Sequence, residues 1–533
     1  MMNARKSRGY RKKQFKTRKY QRGAIVAAVL ILQMLLIVIC GTQKANYHVD
    51  EYATYILANS SRGISIEVEE GRKYSGDELF HPYFVVDRDA RFDYHTVWEN
   101  QSKDVHPPLY YVFIHTVCSL FPGMFSKWFG LAVNLFFFIL TGILVYNTAA
   151  KIYSDNLKAL ITLGIWGCTA GVVNTAVFIR MYTMAGFFVT AAVYIHLQLY
   201  KEKKAGIKFF AEVFLVTTAG GLTHYYVVVF IFFLALFYLI YFLYKKRFQE
   251  AFCYIVTYMI SAITALGIFP AMLDHVFGGY RGEEAFSAIS DPQKFLDIFQ
   301  YVQLLAKEMA GNVIILGVLF CIAILLIGKK VYRRGIKNIF QRLLEFPEFA
   351  MLVSAFFYCL IIMRIAPYIT GRYLSPVYSL VCLVEMSVIW RIKNEIKDGQ
   401  NLLNLITAVV CIVIVANTWS GGLRNLFSDS KYAIETAEEN KDRDVLFVYD
   451  GAAWKANSSR EELIRYRSYT FIKEEDLAHY AEENALDGKI LYLLNMSDQD
   501  ELIKKIKNVN QNVERTVLLY EGNYSTAYML LTQ

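Results

Sequence analysis

The stretch RGAIVAAVLILQMLLIVICGTQKANYHVDEYATYILANS (residues 22–60) decides how the chain is read. Its first half, from Ala24 to Cys40, is one apolar run, and an apolar helix of about 20 residues is what crosses the hydrocarbon of a bilayer. Ahead of it, residues 1–22 hold 10 Lys or Arg and no acid. Such a segment keeps an N-terminus on the cytoplasmic side, beside anionic lipid. The run is long for the core of a cleaved signal peptide, and no small-x-small site follows it. IVIC at 37–40 approaches a lipoprotein box but sets Ile39 where a small residue is wanted. The run therefore reads as a retained anchor. A few residues beyond its end stand Asp50 and Glu51. Carboxylates at a membrane boundary cost free energy unless they are solvated or paired, and they usually mark a cavity or a function. The plain alternative is a solvated helix cap, with Asp50 accepting backbone N–H groups.

Composition extends this reading to the whole chain. Of 533 residues, 55% are hydrophobic, 15% aromatic and 19% charged, where a soluble domain carries about 25% charge. With several further runs near span length, this excludes a cytosolic enzyme, a disordered scaffold and a small secreted module. The net charge of +9 gathers at the N-terminus, so it indicates the lipid bilayer as partner and no nucleic acid. Spans are expected at 24–42, 128–148, 159–178, 183–199, 208–222, 225–244, 251–272, 311–328, 347–365, 373–390 and 402–420. With eleven crossings the basic clusters at 200–208, 244–247, 329–342 and 391–397 all fall on the cytoplasmic side. Counting the apolar stretch 108–122 as well would put the later clusters outside, so it is expected to lie in the outer interface. All eight cysteines lie in apolar helical stretches and read as small core residues, with no disulfide framework or Cys-based metal site.

The expected fold is mainly α: a polytopic integral membrane protein of about 11 transmembrane helices. Residues 1–23 form the basic cytoplasmic N-terminus, and 24–421 the membrane domain with outer loops at 43–127 and 273–310. Residues 422–533 form a small extracytoplasmic α/β domain. In that tail, strands at 444–450, 489–496 and 515–522 alternate with helices at 460–467, 474–483 and 499–509. It has no Gly-rich phosphate loop.

Four more segments carry residues able to do chemistry. SKDVHPPLYYVFIH (102–115) sets Asp104 and His106 before two prolines, which suit the first turn of an interfacial helix bearing Tyr110 and Tyr111. FIRMYTM (178–184), GGLTHYYVVV (220–229) and APYITGRYLSPVY (366–378) place Arg180, Tyr182, His224, Tyr225, Arg372 and Tyr373 at the same outer boundary. The positive-inside rule depletes that boundary of Arg. Outer cations at headgroup depth suit an anion such as a lipid phosphate, which Arg grips through its planar fork; individually each could only snorkel or pair with an acid. GGYRGEEAF (278–286), with Arg281, Glu283 and Glu284, is either a lid over such a site or a solvated loop.

An Asp-Glu pair after the first span, HPPLYY in the same loop, R-x-Y, THY and a late RYL-x-P, in this order, resemble the GT-C glycosyltransferases of family 39. That family includes protein O-mannosyltransferases and lipid A aminoarabinose transferases. The resemblance covers residues 24–420 and leaves the tail outside. It implies an integral enzyme that moves a monosaccharide from a polyprenyl phosphate to an acceptor hydroxyl at the outer face, with inversion. Asp50 matches the family's general base and Glu51 its catalytic neighbour. His106, Arg180, Tyr182, His224, Tyr225, Arg372 and Tyr373 would bind the donor phosphate and sugar, while Asp104, Tyr110, Arg281 and Glu283 would serve the acceptor or a lid. The acceptor could be a surface glycan, a lipid or a protein. No cofactor is implied; a divalent cation could bind Asp50, Glu51 and His106, but no dedicated ligand spacing is visible. The basic N-terminus and absence of a eukaryotic retention signal suggest a bacterial plasma membrane. The rival readings are a polyprenyl-lipid or solute transporter, for which the repeat symmetry common in transporters is missing, and an inactive surface receptor.

Overall fold

The structure, a computed structural model, describes residues 2–200, 205–334, 343–344, 346–395, 399–510 and 512–531. Eight helices among them are long and apolar enough to cross a membrane: Gln21–Gln43, Lys127–Tyr153, Tyr182–Tyr200, Tyr225–Tyr244, Phe248–Ile268, Pro347–Ile365, Ser375–Asn394 and Gln400–Gly421. Two bent pairs raise the number to ten. The remaining expected span, 208–222, is the helix Ile207–Gly221 of 15 residues, about 22 Å long and short of a full crossing on its own. The stretch expected in the interface is a helix of 12 residues, Leu109–Leu120, about 18 Å long.

Both bends have identifiable causes. The expected span at 159–178 is the pair Asn156–Cys168 and Ala170–Ala176, bent by 60°. Thr169 between them is extended, and the freed backbone groups are taken up from Gln400–Thr418 and just beyond it. The Thr418 hydroxyl accepts from Ala170 N–H (3.0 Å) and the Trp419 indole donates to Cys168 C=O (2.8 Å). A broken helix survives in an apolar setting when neighbours supply such partners. The pair Lys294–Met309 and Val313–Ile322 turns by 90° at Gly311, whose φ of +93° favours glycine and where a Cβ would meet Asn417. The expected loop at 273–310 is thus largely helical, with Tyr280–Ser290 preceding Lys294–Met309. Of the cysteines, Cys40, Cys118, Cys382 and Cys411 are buried as expected, whereas Cys321 faces outward.

The tail folds around one sheet of six strands, ordered β1-β3-β2-β4-β6-β5. These are β1 (Lys73–Tyr74), β2 (Asp444–Tyr449), β3 (Ser468–Lys473), β4 (Ile490–Leu494), β5 (Arg515–Glu521) and β6 (Ser525–Leu531). The central pairs β3–β2 and β2–β4 are parallel and the outer ones antiparallel. Three strands go beyond the expectation. The helix expected at 460–467 is only Arg460–Leu463, and the chain then runs into β3. β6 returns beside β5 as a hairpin, and β1 comes from the loop at 43–127.

That loop and the tail are therefore joined through a shared sheet edge. Arg460 also forks onto Asp77, with its guanidinium over the Phe125 ring (4.8 Å). Asn46 Nδ2 donates to Ser458 C=O (3.1 Å), and Ala45 N–H to Leu426 C=O (2.8 Å). Tyr47, Tyr52, Tyr55, Phe84 and Phe125 pack ring on ring beneath, so the loop's aromatic residues form a core of their own.

Candidate active site

After the first span the chain turns and starts the helix Val49–Asn59. His48, not Asp50, is its cap: His48 Nδ1 accepts from Asp50 N–H (3.1 Å), and Glu51 accepts from His48 N–H (2.8 Å). This reciprocal box satisfies two donors that a helix start leaves open. Successive side chains on a helix diverge by about 100°, and here that separates the two acids. Asp50 lines a cavity. Glu51 is fully buried behind it and accepts from Lys44 Nζ (2.9 Å), His48 N–H (2.8 Å) and Ile179 N–H (2.7 Å). Glu51, which the sequence reading pairs with Asp50 in catalysis, does not line the cavity. Glu51 has both oxygens occupied and clamps the 178–181 turn, which carries Arg180, against the helix.

Arg180 and Arg372 reach Asp50 from two sides. Arg372 Nη1 donates to Asp50 Oδ2 (2.5 Å), and Arg372 Nη2 to the Tyr373 hydroxyl (3.3 Å). Arg180 is almost fully buried; its Nη1 contacts Asp50 C=O (3.2 Å), Thr54 Oγ1 (3.2 Å) and Tyr111 OH (3.0 Å). Burial alone would push the Asp50 carboxyl up, but the charges of Arg180 and Arg372 hold it well below the usual carboxylate range. Both guanidinium Nε–H groups are buried without an acceptor among the described residues.

The histidines here are neutral hydrogen-bonding groups. His106 Nε2 receives Arg180 Nη2 (3.3 Å), which assigns its proton to Nδ1, facing Asp104 Oδ2 (2.9 Å). His224 caps the span Tyr225–Tyr244, its Nδ1 accepting from Tyr226 N–H (3.0 Å), so Nε2 carries the proton. Burial lowers both, and the Arg180 charge adds to this. His48 is lowered to about 4, first by burial and then, against the pull of Asp50, by the charges of Arg372, Arg180 and Lys44.

The cavity holding these groups measures about 1430 Å³. Asp50, Asp104, His106, Arg180, Tyr182, His224, Arg372 and Tyr373 line its polar part. Val229, Phe232 and Phe233, with Ala262, Leu266, Ile361 and Ile365, make an apolar wall from three spans. Tyr225 lines it too, but its hydroxyl is held by His275 Nδ1 (2.7 Å), and Arg281 joins Glu284 (2.6 Å) in the helix Tyr280–Ser290. Besides Glu51, two expected residues lie elsewhere. Tyr110 sits in the core bonded to Asn134 (3.0 Å), and its neighbour Tyr111 faces Arg180 instead; Glu283 is exposed, and Glu284 lines the cavity. Sequence reading missed His48 and Glu308. The latter accepts from the Tyr378 hydroxyl and lies so close to Gly371 that a Cβ there would be 2.3 Å from its oxygen. No three His, Cys, Asp or Glu side chains converge as metal ligands among the described residues.

A helical bundle of spans, an acid between two arginines at one end and a sheet packed onto the first loop together make a polytopic membrane protein. Its fold is similar to that of solved structures. The crystal structure of ArnT from Cupriavidus metallidurans bound to undecaprenyl phosphate matches 95% of this chain and 97% of its own, with a TM-score of 0.55 at 9% identity. The apo form of that protein matches 94% and 98%, with a TM-score of 0.50 at 10% identity. The archaeal oligosaccharyltransferase AglB from Archaeoglobus fulgidus, in complex with an inhibitory peptide and a dolichol-phosphate, gives 0.41 at 10% identity over 97% and 74%, too low to establish a shared fold by itself. No protein-family model matches the sequence, and no curated protein matches it.

Proposed function

We propose that the protein is a membrane glycosyltransferase that moves a monosaccharide from a polyprenyl phosphate to an acceptor hydroxyl at the extracytoplasmic face of a bacterial plasma membrane. The N-terminus would lie in the cytoplasm. The observation that carries this reading is a single cavity with Asp50, Arg180 and Arg372 at one part and an apolar wall from three spans at another. A sugar phosphate on a prenyl chain has the same two parts. The similar fold of ArnT, a protein crystallised with undecaprenyl phosphate, supports the donor class.

The geometry supports the following chemistry. The donor phosphate takes up the free Nε–H groups of Arg372 and Arg180 and competes with Asp50 for Arg372. This loosens the ion pair that depresses Asp50, so its proton affinity rises as the donor arrives. The acceptor oxygen attacks the anomeric carbon from the face opposite the phosphate, and its proton passes to Asp50. The carbon–oxygen bond to phosphate breaks, the electron pair leaves with the lipid phosphate, and the configuration inverts. Arginines fixed before reaction stabilise the charge growing on the leaving group. His224 Nε2–H is a further neutral donor, whereas His106, spent between Asp104 and Arg180, orients the arginine.

Purified protein in nanodiscs, given a panel of polyprenyl-phosphate sugars with donor consumption followed by mass spectrometry, tests the proposal. Wild type should consume one donor, slowly even with water as acceptor, and Asp50→Asn should not. Translocation of lipid without any sugar transfer would mean a transporter.

A further inference from the structure

The cavity has a third wall, which the donor chemistry does not use. It comes from the tail: Trp454 and Asn457 on the turn Ala453–Ser459, and Tyr524 in the tight β5–β6 connection. The Trp454 and Tyr524 rings meet edge to face, with centroids 5.9 Å apart. Trp454 remains 46% exposed, although exposed indole is normally covered in a folded domain. Asn457 is 4% exposed, and its Oδ1 has no hydrogen-bond partner among the described residues. A buried amide oxygen left open is costly, and this one belongs to a residue that lines the cavity.

We propose that Trp454, Tyr524 and Asn457 form an acceptor subsite for a carbohydrate, holding a pyranose ring so that its hydroxyl reaches Asp50. This rests on the glycosyltransferase reading and adds the acceptor class to it. The flat apolar C–H face of a pyranose packs on an aromatic ring, and its hydroxyls donate to an amide oxygen. The local charges favour an uncharged ligand, because Asp450 and Lys455 beside Trp454 are paired with each other. Tyr524 lines the same cavity as Asp50, and burial pushes its hydroxyl up. A lipid acceptor would want a continuous apolar surface, which lies instead along the wall from the three spans. A peptide would seek open backbone groups at a sheet edge, and neither Trp454 nor Tyr524 lies within the outer strands β1 and β5.

The test measures ligand binding without donor, by saturation-transfer NMR on full-length protein in nanodiscs. The probes are the methyl glycosides of glucose, galactose, mannose and N-acetylglucosamine, a Ser/Thr-containing peptide, and phosphatidylglycerol. At least one glycoside should show saturation, reduced at least tenfold in Trp454→Ala/Tyr524→Ala and retained in Trp454→Phe/Tyr524→Phe, which keeps the ring faces. Donor consumption by the wild type, with water as acceptor, is followed in parallel. Saturation of no glycoside, or equal saturation in the alanine variant, overturns the subsite. So does peptide or lipid saturation that depends on the two rings where glycosides show none. Glycoside binding with no donor turnover in wild type would instead count against the glycosyltransferase reading while leaving the sugar site standing.

Discussion

Asp50 and Glu51 are neighbours on one helix, each joined to one cation, yet the two pairs behave in opposite ways. At the cavity, Asp50 and Arg372 keep side-chain exposures of 32% and 15%. Guanidinium charges outweigh burial at the carboxyl, which falls, while Tyr182 and Asp50 outweigh burial at Arg372, whose guanidinium rises; both stay ionised. Behind the cavity, Glu51 and Lys44 are 0% and 1% exposed. Burial outweighs pairing, so Glu51 is raised and Lys44 lowered despite a 2.9 Å contact. One pair is a charged device open to a ligand, and the other is a dry clamp. Adjacent acids in a motif need not share a task, because a helix sends them to different surroundings.

The largest expected effect comes from removing the charge at the open pair. Asp50→Asn keeps the shape and should cut donor turnover by about 10²–10⁴, the usual worth of a positioned base. Its thermal unfolding should stay close to wild type. Because Asp50 is held ionised, kcat/KM of the wild type should show no acid limb from this group above pH 4. A turnover rate equal to wild type would falsify the assignment of the base.

Arg372→Ala comes next. Loss of one preorganised donor to a developing anion costs about 10²–10³ in rate. The same change frees Asp50 from its closest cation, so any residual activity should gain an acid limb shifted upward, toward the ordinary carboxylate range. Arg372→Lys keeps the charge but not the fork and should recover part of the rate. Loss of rate with no shift of the limb would show that Asp50 takes its low proton affinity chiefly from Arg180.

The clamp should respond on a different axis. Glu51→Gln leaves Lys44 buried without a counter-charge, and breaking a buried pair costs about 3–5 kcal/mol. A clear fall in the unfolding temperature in detergent is expected, with the pH limb of surviving activity unmoved. If Glu51→Gln instead melted like wild type and lost turnover as Asp50→Asn does, the division between device and clamp would collapse.

That division also marks what the sequence could convey. Asp50, Arg180 and Arg372 were legible because charge at the end of an apolar span is conspicuous against its surroundings. Glu51 carried the same signal but faces inward, and its burial follows from Ile179, which is 128 residues away in sequence. Tyr110 and Tyr111 show the same limit: both are aromatic on one short helix, and only the fold sets which meets Arg180. In the tail, β2 and β4 stood out as buried apolar runs. β1 is only two residues long and exists because β3 lies beside it across almost 400 residues. The break at Thr169 has no proline or glycine at the bend itself; Thr418 and Trp419, far along the chain, make it tolerable.

The smallest effect concerns His48, which touches both pairs: its ring lies 3.4 Å from Asp50 Oδ2 and its N–H binds Glu51. Its folded pKa of about 4 lies below the ordinary 6.5. Between those values the unfolded chain binds a proton that the folded protein refuses, so stability is full above pH 6.5 and falls as the pH drops toward 4. His48→Asn keeps an acceptor for the Asp50 N–H, as an N-cap needs, but cannot titrate. Comparing unfolding at several pH values, the variant should lose up to one proton's share of the slope, at most about 1.4 kcal/mol per pH unit. A slope remains from His106 and His224, which burial lowers in the same way. An unchanged slope would mean that His48 accepts its proton in the folded state and stands with Asp50 as part of the charged device. A reduced slope places it with Glu51, as a neutral part of the clamp that aims the base.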